Sequence, residues 1–143
     1  MENQTPFQNN EQVLFENKDI LRNTDFSYCP IGWSELIRQL FRDIRNACTI
    51  NKSVLPVVIQ IKSKFGGLRF YLDNEYDQWD KNSLAGIEVH RLINEAEIKS
   101  YTICEITGQP GSLYKKNYFY ATLSETKAKE LGYTKRQLKI VHD

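Results

Sequence analysis

The stretch from Val57 to Asp73, VVIQIKSKFGGLRFYLD in one-letter code, limits what this chain can fold into more than any other. Apolar and polar side chains alternate with period two on both sides of Gly66-Gly67. That pattern marks two strands joined by a tight turn, with one face on a core and the other wetter. Residues 57–65 and 68–72 are the predicted strands, and the glycine pair supplies the positive φ angles of a two-residue turn. Strict alternation puts Val57, Ile59, Ile61 and Phe65 on one face and Val58, Gln60, Lys62 and Lys64 on the other. In the second strand Leu68, Phe70 and Leu72 oppose Arg69, Tyr71 and Asp73. Lys62, Lys64 and Arg69 are therefore expected together on the wet side.

Two amphipathic helices are expected to cover the dry side. Trp33, Leu36, Ile37, Leu40, Phe41 and Ile44 recur at helical spacing, predicting a helix over 33–46 with Gly32 as its N-cap. Leu84, Ile87, Leu92, Ile93 and Ala96 predict a second over 83–99, capped by Asn82. Residues 101–105 read as a short strand, 107–111 as a turn and the aromatic run 113–122 as a further strand. Thr122 and Glu125 have the spacing of a capping box for a helix ending near 131, and Thr134 caps a last helical turn over 135–141. Upstream, residues 1–22 are a polar segment, partly flexible or a short helix, in which Val13, Leu14, Phe15, Ile20 and Leu21 are the apolar residues. Residues 23–32 read as loop. The expected architecture is α+β: a small antiparallel sheet built on the hairpin and packed by two helices, a single domain over 23–143.

A chain of 143 residues suits one domain with a real core. It has no apolar run of membrane length and no signal-peptide pattern at its start, so a cytoplasmic setting is expected. Cys29, Cys48 and Cys104 are odd in number and widely spaced, which is neither a disulfide framework nor a zinc motif. The net charge of +1 hides segregation. Between Asp43 and Asp73 every charge is basic, and the cluster Asp73, Glu75, Asp77 and Asp80 follows. Local anion binding fits this arrangement better than general adhesion to nucleic acid.

Lys62, Lys64 and Arg69 around Gly66-Gly67 make a candidate anion site, because glycines admit a ligand to backbone amides and cations neutralise it. Tyr71 and Trp33 are candidate platforms for a base or ribose. The plainer account is a glycine turn on a solubilised sheet face. Glu95, Glu97 and Ser100 suit a solvated helix face better than acid–base catalysis, although Glu97 can pair with a hairpin cation. His90 and His142 join no nucleophile or metal set. The acidic cluster after the hairpin lacks the glycine and closing glutamate of a calcium loop. Lys115 and Lys116 beside four aromatics suit either single-stranded nucleic acid or, more simply, a core strand with a wet turn. No metal or cofactor is implied, and the chain reads as non-catalytic.

Gly32-Trp33, the run KSKFGGLRFY from Lys62 to Tyr71, Ala96-Glu97 with Ser100, and CEITGQPG from Cys104 to Gly111 carry a resemblance to a family of small phage, prophage and bacterial proteins. Many members have a second cysteine where Thr107 stands, with a further cysteine and often a histidine beyond, which looks like a small zinc knuckle. The resemblance implies that this chain closes the same turn by hydrogen-bonded and apolar contacts, with the aromatic strand at 114–120 as the substitute. It also implies a phage context and hence a host-cell cytoplasm. The expected function is binding of a small anionic, nucleotide-like ligand, such as sequestration of a host immune signalling nucleotide. The alternatives are a protein-interaction module or inhibitor acting on a host protein, and a weak nucleic-acid binder; homo-oligomerisation is open to each.

Overall fold

A computed structural model describes residues 6–26 and 29–135. The order of elements is α1 (Pro6–Glu16), β1 (Leu21–Asp25), α2 (Ser34–Ile50), β2 (Val58–Lys64), β3 (Gly67–Leu72), α3 (Leu84–Ser100), β4 (Ser112–Lys116), β5 (Phe119–Leu123), α4 (Glu125–Leu131) and β6 (Thr134–Lys135). The α+β class and the central hairpin are as expected. The strands form two sheets rather than one, ordered β1-β2-β3 and β5-β4-β6. The first is mixed, because β1 runs parallel to β2 while β2 and β3 are antiparallel. β1 occupies part of the segment read as loop. Its pattern has little apolar content, and its place is set by Ile20, fully buried just before it, and by Thr24 Oγ1 donating to the Val58 carbonyl at 2.6 Å.

The hairpin departs from strict alternation at one point. The register runs from Val58↔Leu72 to Gln60↔Tyr71, so Ile59 is the extra residue of a bulge. The bulge puts Val58 and Ile61 both inside, at 0% exposure, and leaves Ile59 40% exposed. Ile59 is therefore not a core residue. Ile59→Thr is expected to change the unfolding free energy by less than about 0.5 kcal/mol in a urea titration, as for other exposed positions. The turn also sits one residue earlier than expected. Lys64 pairs with Gly67, and the two turn residues are Phe65 (φ 54) and Gly66 (φ 84).

The inner face of the hairpin packs on α2, with Phe41 and Phe70 edge to face at 5.4 Å. α2 buries Ile37, Leu40, Phe41, Ile44, Ala47 and Cys48, and continues through Thr49 to Ile50. Before it, Ile31–Trp33 is a single 3-10 turn, so Gly32 is not a helix cap. Ser83, not Asn82, caps α3 by accepting from the Gly86 N–H at 3.0 Å. α3 buries Ala85, Val89, Ile93, Ala96 and Ser100, while the apolar face expected from Leu84 and Ile87 is open: these are 76% and 59% exposed. Small residues at the true interface let α3 approach closely, and a pattern weighted by size misses them. Val13 and Ile20 join the same core, so this part of the N-terminal segment packs with the rest.

Residues 101–105 form turns with one isolated bridge, Ile103↔Pro110, rather than a strand. The aromatic run expected as one strand is the hairpin β4–β5. Ser124 rather than Thr122 caps α4. Thr134 and Lys135 pair with β4, and the rest of the helical turn expected over 135–141 lies outside the described residues. A small second core of Cys104, Ala121, Leu123 and Ala128 sits under this sheet. The two halves are joined by polar bonds: Thr122 Oγ1 donates to the Gly66 carbonyl at 2.6 Å, the Gly32 N–H to the Glu105 carbonyl at 2.7 Å, and Trp33 Nε1 to the Ile103 carbonyl at 2.9 Å.

Candidate functional site

The outer face of β2–β3 carries the side chains singled out in the sequence. Lys62 lies directly opposite Arg69, Gln60 opposite Tyr71, and Lys64 opposite Gly67. Like charges in directly opposed positions disfavour a strand pair unless something neutralises them. Among the described residues no ion pair involves Lys62, Lys64 or Arg69. The Lys62 ammonium sits 6.0 Å from the Tyr71 ring, and that of Lys64 5.6 Å from the Phe65 ring. The Arg69 guanidinium donates to the Leu68 carbonyl at 2.9 Å and reaches the Tyr101 hydroxyl at 3.4 Å. Burial opposes its charge, but Tyr101 and the nearby Glu97 outweigh that and hold its pKa above the ordinary value. Arg69 is thus a fixed, permanently charged group at the centre of the face.

Three of the expected site residues do not serve as expected. Trp33 is fully buried in the main core, with its N–H spent on Ile103, and offers no stacking surface. Gly66 packs against Leu113 and Ala121, and its carbonyl is taken by Thr122. Gly67 lies under the Tyr101 ring, which a Cβ there would meet at 2.2 Å. The glycines thus allow close packing within the protein, and no ligand cradle is left at them. Lys62, Lys64, Arg69 and Tyr71 remain on one accessible face. Tyr101 and Phe65 belong with them and were not identified as site residues from sequence. The available signal was positional: Glu97, Ser100 and Tyr101 fall on one side of the end of α3.

That end of α3 holds the edge of the sheet. Ser100 Oγ accepts from the Leu68 N–H at 2.9 Å, and Glu97 Oε2 from the Phe70 N–H at 3.1 Å. Glu97 therefore acts on the backbone of β3, and burial raises its pKa although the Phe70 N–H and Arg69 counteract. These bonds fix the strand that carries Arg69 and Tyr71.

The loop after α3 is closed by hydrogen bonds. The Gly108 N–H donates to the Cys104 carbonyl at 2.8 Å, the Cys104 N–H to the Gln109 carbonyl at 2.7 Å, and the Thr107 N–H to Cys104 Sγ at 3.4 Å. Burial opposes a thiolate there, but hydrogen bonding from Thr107, with backbone groups of Ser124 and Ile106, lowers the Cys104 pKa. Among the described residues no group of three or more His, Cys, Asp or Glu side chains comes together as a metal set.

Next to it, Glu105 accepts from the Thr122 N–H at 3.1 Å. Burial raises its pKa above the ordinary 4.5, against the effect of that hydrogen bond. The folded chain then holds this proton more tightly than the unfolded chain. The resulting stability is complete below pH 4.5 and is lost as pH rises through the folded-state value. Glu105→Gln is expected to flatten that decline and to be at least as stable as wild type at neutral pH. Glu105→Ala leaves the Thr122 N–H unpaired and should cost about 1–3 kcal/mol. Urea titrations across the acidic to neutral range check both.

Four surface clefts of about 360–540 Å³ lie elsewhere: two along the α2–α3 seam, one beside α1 and one at the start of α3. None of these four is lined by Lys62, Lys64, Arg69 or Tyr71. Among the described residues no helix is long and apolar enough to cross a membrane. Comparisons with protein-family models, curated proteins and solved structures give no match for this chain.

Proposed function

We propose that this is a non-catalytic binding protein for an anionic, nucleotide-like ligand, seated on the outer face of β2–β3. The observation that carries the reading is the directly opposed Lys62–Arg69 pair, which makes no ion pair among the described residues and has near Arg69 only Glu97, a carboxylate engaged by the Phe70 N–H. A phosphate between them relieves their repulsion and gains charge-assisted hydrogen bonds. Lys64 extends the positive surface, and Tyr71, 37% exposed, offers a ring beside Lys62. A face of this kind holds a ligand by charge and stacking, without enclosing it. The resemblance to phage proteins supports a setting in which capture of a host nucleotide would be useful.

Titration calorimetry with inorganic pyrophosphate, adenosine monophosphate and a cyclic dinucleotide tests the reading. Heat is expected for at least one of them. Arg69→Ala should weaken binding at least tenfold, because it removes the charge that Tyr101 and Leu68 hold in place. Lys62→Ala should do nearly as much. Folded protein that gives no heat with any of the three would refute the reading for mononucleotide ligands.

A further inference from the structure

We infer that the cationic face continues across the hairpin tip onto the second sheet as one track, and that its ligand is a single-stranded nucleic acid. The inference rests on the reading that Lys62 and Arg69 seat a phosphate, and names the polymer that phosphate belongs to. Three cations each stand beside a ring: Lys62 with Tyr71 at 6.0 Å, Lys64 with Phe65 at 5.6 Å, and Lys115 with Tyr120 at 5.8 Å. The first two pairs belong to the first sheet and the third to the second. Phe65 joins them, because its ring meets that of Tyr120 edge to face at 6.4 Å. The junction is fixed by the Thr122–Gly66 hydrogen bond at 2.6 Å and by Leu113 and Ala121 against Gly66.

Phe65 is an unusual choice for this tip. It holds φ 54, a conformation that bulky side chains rarely adopt, and the residue is 63% exposed. At the end of β4–β5, Tyr118 is 92% exposed, while Phe119, paired with Lys116, lies on the face opposite Tyr120. Cations interleaved with rings, of which those of Phe65 and Tyr71 belong to exposed residues, match a chain of alternating phosphates and bases. An acidic peptide would use the cations alone. A duplex keeps its base faces stacked inside. A mononucleotide fills one of the three cation–ring pairs. The single-stranded polymer uses all of them.

Fluorescence anisotropy with labelled oligothymidylates of about 4 and about 12 nucleotides tests this. The longer strand is expected to bind at least tenfold tighter than the shorter one, and tighter than a duplex of the same length. With four cations engaged, log K should fall against log salt with a slope of about −3. Phe65→Asn, which gives the turn an Asn-Gly pair that two-residue hairpins favour, should weaken the longer strand about tenfold. Lys115→Ala should weaken it and make the slope shallower by about 0.7. Lys81→Ala, an exposed lysine away from the strip, serves as the control. Equal affinity for both lengths, no effect of Phe65→Asn and Lys115→Ala, or polyglutamate binding as tightly would overturn the track. If the short strand still binds and Arg69→Ala abolishes it, only the track falls. If neither strand nor any mononucleotide binds, the anion site falls with it.

Discussion

Trp33→Ala is expected to lower the unfolding free energy by about 3–5 kcal/mol, a large share of the roughly 5–15 kcal/mol available to a domain. The ring is fully buried among residues of α1, α2, α3 and the first sheet. Its removal leaves a cavity that the surrounding elements cannot close without moving. It also strands the Ile103 carbonyl, which now accepts from Nε1 at 2.9 Å. Trp33→Phe separates the two contributions, since it refills most of the volume without the donor and should cost about 1–3 kcal/mol. Urea titration followed by far-ultraviolet circular dichroism measures both. A loss below about 1 kcal/mol for the alanine variant would mean that the ring is not a core side chain after all.

Gly32→Ala is expected to cost about 3 kcal/mol or more, although it adds a single methyl group. A Cβ at this position would lie 2.1 Å from the Cys104 carbonyl oxygen, 2.5 Å from the Glu105 carbonyl carbon and 2.7 Å from its oxygen. All three are backbone atoms, so no side chain can rotate out of the way. The Gly32 N–H to Glu105 bond at 2.7 Å holds the two segments at that distance. The strain passes to the second sheet, because the Glu105 N–H donates to the Thr122 carbonyl at 2.9 Å. Hydrogen exchange should show amides of β4 and β5 losing protection before those of β2 and β3. If Gly32 were only a helix cap, alanine would cost about 1 kcal/mol and leave β4 and β5 undisturbed.

Period-two and helical spacing were enough to locate the hairpin and the two long helices, because burying one face imposes those repeats. They failed where one residue breaks the repeat. The bulge at Ile59 turns an expected core side chain outward, and nothing in a run of β-branched residues marks which one is extra. The turn shifted to Phe65-Gly66 because Phe65 accepts a left-handed conformation that composition alone assigns to Gly67. β1 was missed because neighbours from elsewhere in the chain, not its own pattern, hold it. In the candidate site, Lys62, Lys64, Arg69 and Tyr71 were legible together, since alternation alone puts them on one face. Trp33 was read both as helix stripe and as stacking platform. The two roles exclude each other, and the spacing with Ile37, Leu40 and Ile44 favoured the stripe. Tyr101 and Tyr120 come to the face through contacts between elements, which no local pattern records.

The hydrogen bonds from Leu68 and Phe70 to Ser100 and Glu97 have a consequence for how this molecule can be recognised. A bare sheet edge is a template on which another strand can grow, whether from a partner or from an identical chain. Here the outward amides of β3 at those two positions are already taken, and the end of α3 stands in the way. Strand addition and edge-to-edge polymerisation are closed on that side. On that side, whatever engages this sheet must do so through side chains on its face, so selection between partners there falls to charge and ring chemistry rather than to main-chain pairing, which accepts almost any extended sequence.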